Sequence, residues 1–124
     1  MSLIVQKFGG TSVRDTERLF NVARIIADTY DQGHDVVVVV SAQGDTTDDL
    51  IEKTHEITDR PDEREMDALL ATGEQISAAL LTMALKKLGY RAISLTGWQA
   101  GFLTDANHGK ARVRRINKER IENE

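Results

Sequence analysis

The sequence predicts an α/β fold with a mostly parallel sheet and helices on both faces, on three observations. Val36 to Val40 is an unbroken run of five valines; a strand apolar on both sides belongs inside a covered sheet. A short β-prone run, Leu3-Ile4-Val5, leads into the glycine-containing string Lys7-Phe8-Gly9-Gly10-Thr11-Ser12. Between the two lies helical periodicity, so the order strand, glycine loop, helix, strand reads as a βαβ unit.

The first helix is predicted from Val22, Ile25, Ile26 and Tyr30, spaced by three and four on one face. Ser12 and Asp15 fit a capping-box start, and Gly33 suits the left-handed residue that stops it. After the valine strand comes a polar loop, Ser41 to Asp48. A second helix is expected from Leu50, Ile51, Thr54 and Ile57, ending near Arg60-Pro61. The ten acids and three bases between Asp45 and Asp67 read as a solvated face without chemistry. A third helix is predicted from about Glu74 to Leu88, with Thr72 and Gln75 as its capping box and Gly89 as its stop. Leu81, Ala84, Leu85 and Leu88 form its apolar stripe. Arg91 to Leu95 reads as a strand and Thr96 to Gly101 as a loop. Phe102 to Thr104 is a brief strand, with Val113 and Ile116 pairing back across Asp105 to Lys110. From Asn117 a last helix begins and is cut off after two turns, which predicts a natural chain that continues.

Composition bounds the function. The 124 residues allow one domain, and 40% hydrophobic with 29% charged residues is globular. Sixteen Lys and Arg against 20 Asp and Glu leave a net charge of -4, which argues against a general nucleic-acid binder. There is no cysteine, so thiolate metal sites and Cys nucleophiles are excluded. The longest purely apolar run is the five valines, far short of a membrane span, and the N-terminus has no secretory pattern. A soluble, cytoplasmic protein is expected, without a membrane or nucleic-acid partner.

Four segments offer chemistry. Lys7 with Gly9 and Gly10 stands between a strand and a helix, where bare backbone N–H groups can cradle an anion and an ammonium can neutralise a phosphoryl group. The spacing is neither a Walker loop nor GxGxxG, and a plain tight turn is the alternative. Ser41 and Thr47 flank Gly44 at the carboxyl end of the valine strand, where open parallel sheets bind ligands; helix capping by Thr46 or Thr47 competes with that reading. Thr72-Gly73-Glu74 places an acid for a substrate ammonium, or for simple dipole compensation in a first helical turn. Thr96 to Gly101 follows a strand and carries the only tryptophan, Trp98, which packs more often than it binds. The basic residues from Lys110 to Arg120 read as a wet strand face or a phosphate patch, and His34, His55 and His108 are too scattered for a metal site.

The strings themselves go further. Lys7-Phe8-Gly9-Gly10-Thr11-Ser12 resembles the opening signature of aspartate kinases, in the amino acid kinase superfamily. VVVVVSAQGDTTDDLI at 36–51, REMDALLATGEQIS at 64–77, SLTGWQAG at 94–101 and HGKARV at 108–113 agree in the same order. The resemblance spans residues 3–124, and the family is about three times as long. It implies the N-terminal, aspartate-binding half of an αβα sandwich, with the nucleotide-binding half and the ACT regulatory domains lying beyond Glu124. Only the loop Gln43-Gly44-Asp45 departs mildly, where the family often has small or methionine residues.

At matching positions the resemblance implies that Lys7 contacts the phosphates of ATP and stabilises the transferred phosphoryl group, with Gly9 and Gly10 as the phosphate-approaching glycines. It implies Ser41 and Thr47 as hydroxyls that contact aspartate and Glu74 as the acid on its α-ammonium. Magnesium would arrive bound to the phosphates, with no metal ligands from the chain. The implied reaction makes 4-phospho-L-aspartate and ADP from L-aspartate and ATP, the entry to lysine, threonine and methionine synthesis. The rivals are a catalytically incompetent fragment, prone to self-association through open sheet edges, and a sibling kinase acting on glutamate, acetylglutamate or carbamate.

Overall fold

The computed structural model describes residues 2–104, 113–116, 120–121 and 124. Its elements run β1 (Leu3–Phe8), α1 (Thr16–Asp31), β2 (Asp35–Val40), α2 (Thr46–Ile57), α3 (Glu63–Lys87), β3 (Phe102–Thr104) and β4 (Val113–Ile116). β1 and β2 pair in parallel, from Leu3 opposite Asp35 to Phe8 opposite Val40, and α1 makes the connection between them. The predicted βαβ unit is therefore present. β3 and β4 form the expected antiparallel hairpin, with an irregularity between Leu103 and Thr104.

Alternation along each strand decides which side is covered. Phe8, Val36, Val38 and Val40 pack against the core made by Val13, Leu19, Val22, Ala23, Ile26, Leu81, Ala84 and Leu85. Thus α1 and α3 lie together on one face of the two strands. On the opposite face Leu3, Val5 and Val39 are exposed, at 61%, 64% and 46%.

Helix boundaries correct the sequence expectations in three places. α1 is capped by Asp15 itself, whose Oδ1 accepts from the Arg18 N–H at 2.9 Å; the Ser12 N–H is instead turned back onto the Gly9 carbonyl at 3.1 Å. Its buried face centres on Leu19, Val22, Ala23 and Ile26, so Ile25 and Tyr30 fall to the margin, where both are half exposed. α2 starts at Thr46 with Asp45 in the cap position and no side-chain cap, and buries no residue fully. α3 begins eleven residues before the predicted Glu74. Asp62 caps it, accepting from the Glu65 N–H at 3.0 Å, and acids in its first turn with Lys86 and Lys87 in its last complement the dipole. Thr72 is then no cap: its hydroxyl donates to the Leu69 carbonyl at 2.6 Å inside the helix.

Two predicted stops hold. Gly33 and Gly89 adopt φ of 95° and 94°, the left-handed conformation that costs other residues most. The segment 91–95, predicted as a strand, has no assigned secondary structure. Ala92 and Tyr90 still pack on the core, so apolar burial holds this stretch without a backbone ladder. α3 contains an 18-residue window of mean hydropathy 1.4, long and apolar enough by composition to cross a membrane. Its Gly73, Ser77, Leu81, Ala84 and Leu85 are buried against protein, while Ile76, Leu80 and Met83 are exposed. Of the last helix expected from Asn117, residues 120–121 are helical and Arg120 pairs with Glu124 at 2.7 Å; Asn117 itself and the basic residues Lys110 and Arg112 lie outside the described residues.

Candidate functional site

The loops that follow β1 and β2 meet at the carboxyl end of the parallel pair. The Ser41 N–H extends the ladder to the Phe8 carbonyl at 3.2 Å, and the Gly44 N–H donates to the Gly10 carbonyl at 3.0 Å. The Gln43 side chain donates to the Val13 carbonyl at 2.8 Å, tying the second loop to the segment that enters α1. Gly10 is required for this approach, because a Cβ there would stand 2.6 Å from the Ala42 carbonyl oxygen. Gly9 has open space around the same position. One predicted glycine is thus a packing element between loops, and the other leaves its backbone accessible.

The third contributor is α3. It crosses the second loop at Gly73, where a Cβ would lie 2.8 Å from the Ala42 Cβ and 3.5 Å from the Thr46 Cγ2. Ser77, one turn further, is completely buried and donates to the Gly73 carbonyl at 3.4 Å. The loop after β1, the loop after β2 and the middle of α3 therefore form one packed junction.

Around that junction the predicted residues distribute unevenly. Ser41 and Thr47 are half buried, the first directly before Ala42 and the second in the first turn of α2. Glu74 is exposed and follows Gly73 on α3. Its simplest structural explanation is removed by the long helix: dipole compensation acts within the first turn, and Glu74 stands about 16 Å along the axis from the α3 start at 1.5 Å per residue. Lys7 is exposed and lies on the uncovered face of the strands, opposite Val39 in register. It is not part of the α1–α3 core.

Sequence reasoning missed Ala42 as the center of the junction, although two nearby glycines were visible. It also missed Arg14, whose side-chain carbons approach the Gly44 Cβ position to 3.0 Å. A groove of about 470 Å³ opens beside this loop, lined by Arg14, Asp15, Phe20, Gln43, Leu80 and Met83 among others. None of the predicted site residues lines it. Trp98 is 75% exposed, in a loop closed by reciprocal bonds between Thr96 and Gln99.

Comparison with known proteins bears on the family and the fold. Residues 2–124 match the sequence profile described as the amino acid kinase family. The chain belongs to the amino acid kinase family. Within it, the chain is 54% identical over 121 residues to an aspartokinase of Geobacillus stearothermophilus, covering 98% of this chain and 30% of that protein. It is 56% identical over 113 residues to aspartokinase 2 of Bacillus subtilis strain 168, covering 91% and 28%. Among solved structures, aspartate kinase from Synechocystis superposes with a TM-score of 0.74 at 54% identity, over 75% of this chain and 16% of that one. The chain thus spans about 30% of the length of these curated relatives, and the α/β family fold with parallel strands is the one observed.

Proposed function

We propose that this chain is the aspartate-binding, N-terminal part of an aspartate kinase domain. The intact protein would transfer the γ-phosphoryl group of ATP to the β-carboxylate of L-aspartate, giving 4-phospho-L-aspartate and ADP. A carboxylate oxygen forms the new bond to phosphorus while the bond to the ADP oxygen breaks. The nucleophile is already an anion, so no general base is needed. The chemical task is to hold two negative reactants together in line and offset their repulsion.

Lys7 and the accessible Gly9 backbone serve the phosphate side in this reading, as charge and as N–H donors. Ser41 and Thr47 hold polar groups of aspartate, and Glu74 pairs with its ammonium. Magnesium enters with the nucleotide, coordinated by phosphate oxygens. The observation that supports the reading best is the junction at Ala42, which ties the loop bearing Ser41, and the start of α2 bearing Thr47, to the stretch of α3 bearing Glu74. The same reading includes a cytoplasmic enzyme of amino-acid biosynthesis that forms a homo-oligomer or self-associates.

The test is to incubate the intact polypeptide carrying this chain with ATP, magnesium and a panel of L-aspartate, L-glutamate, N-acetylglutamate and carbamate, trapping acyl phosphate with hydroxylamine. Hydroxamate formed with aspartate is expected. Product from another member of the panel but none from aspartate would replace the substrate, and no product at all would refute the kinase reading.

A further inference from the structure

Gly73 sits in the interior of a 25-residue helix, a position where glycine is ordinarily unfavourable. It has no turn to make there, and it is fully enclosed. What it permits is contact: the Cβ it lacks would fall 2.8 Å from the Ala42 Cβ, well inside the 3.5–4.0 Å at which carbon atoms pack. Ala42, itself only 5% exposed, is held from its other side as well, because its carbonyl oxygen occupies the space that a Gly10 Cβ would need. Ala42 is thus clamped between two positions without side chains. One belongs to the loop after β1 and the other to α3.

The chain neighbours of this clamp give it a functional meaning. Ser41 precedes Ala42, Thr46 lies against the Gly73 position and Thr47 follows it, and Glu74 is the next residue of α3. We propose that Gly73 is a positioning residue for the amino-acid substrate: its missing Cβ sets how closely α3 approaches the loop after β2 and the start of α2, and so fixes Glu74 relative to Ser41 and Thr47. This rests on the aspartate-binding reading above. A methyl group at position 73 would push helix and loop apart by about 1 Å, and a displacement of that size is enough to cost up to about a hundredfold in a positioned reaction.

The test is a methyl exchange in the intact polypeptide that carries this chain. Gly73→Ala inserts the colliding Cβ, Ala42→Gly removes its partner, and the double variant moves one methyl from loop to helix. Gly73→Ala is expected to raise the KM for aspartate about tenfold or more, with the KM for ATP changed by less than about twofold. It is also expected to lower the melting temperature, whereas an alanine in an uncrowded helix interior raises it. The double variant is expected to return the aspartate KM to within about threefold of the wild type. An unchanged aspartate KM in Gly73→Ala, a parallel rise in both KM values, or a double variant no better than the single one would overturn the proposal. If Gly73→Ala does not fold, the double variant decides: a folded enzyme with near-normal aspartate KM supports the clamp, and an unfolded one refutes it. An inactive wild type would instead refute the kinase reading and this substrate role with it, while the melting temperatures of the four proteins would still report on the contact itself.

Discussion

The position at which α3 begins decides what Glu74 can be explained by, and a pair of substitutions tests it. Asp62 accepts from the Glu65 N–H at 3.0 Å, satisfying one of the four backbone donors that a helix start leaves open. Replacing Asp62 with Ala removes that bond and one favourable charge near the positive end of the dipole. The expected loss is about 1 kcal/mol for the cap, with up to about 1 kcal/mol more for the charge at low salt. Asp62→Asn keeps an acceptor and is expected to lose only the charge contribution. Thr72→Ala is expected to be neutral or slightly stabilising, because the Thr72 hydroxyl merely bonds back to Leu69 and alanine is the better helix former. The assay is thermal unfolding followed by circular dichroism, in which 1 kcal/mol corresponds to about 4 °C for a domain of this size. Faster hydrogen exchange at the Glu65 amide in Asp62→Ala would accompany it. A Thr72→Ala loss equal to or larger than that of Asp62→Ala would place the helix start at Thr72 and return Glu74 to the first turn.

Lys7→Ala in the intact protein is expected to reduce kcat by about 10²–10³, the scale of one preorganised donor to a developing charge; steady-state turnover at saturating ATP checks it, and unchanged kcat removes Lys7 from the reaction. Glu74→Ala is expected to raise the aspartate KM with a smaller effect on kcat, and an unaltered KM would refute the ammonium pairing. Tyr90 donates its hydroxyl to Asp31 Oδ2 at 2.6 Å, and that bond, with burial and the Asp31 and Asp28 charges, raises its pKa above 10.0. A pKa higher in the folded than in the unfolded state means that the contribution is complete below pH 10 and lost as pH rises through the folded value. Melting temperature is therefore expected to fall more steeply above pH 10 in the wild type than in Tyr90→Phe, and parallel curves would refute the linkage.

What the sequence reveals about this fold follows from how local each decision is. Gly33 and Gly89 stop their helices because the backbone turns left-handed there, a preference written in the residue itself. The five valines and their pairing with residues 3–8 likewise follow from alternation and apolarity alone. The start of α3 is less local: Asp62 and Thr72 both stand three residues before an acid or amide and both satisfy the capping pattern, so only packing chooses between them. With Leu81, Ala84 and Leu85 anchoring the far end in the core, extending the same helix back to Asp62 also lets Gly73 and Ser77 bury. Residues 91–95 show the reverse case, in which β-prone side chains are present and Ala92 is packed, yet no ladder forms beside them.

The candidate site divides along the same line. That Gly10 belongs to a tight approach was legible, since paired glycines imply backbone proximity, but the partner was not, because Ala42 is 32 residues away and has no chemistry of its own. Glu74 shows how structure changes the weight of an observation without touching the residue. In a short helix an acid at this point is accounted for by the dipole. In the long helix observed it is an exposed carboxylate about three turns from the N-terminus, directly after a glycine whose evident use is to bring that turn against Ala42 and Thr46, beside Ser41 and Thr47. A helix that gives up side-chain volume and propensity at Gly73 to make this approach has geometry to protect, and the groups whose separation it sets are Glu74 on one side and the two hydroxyls on the other.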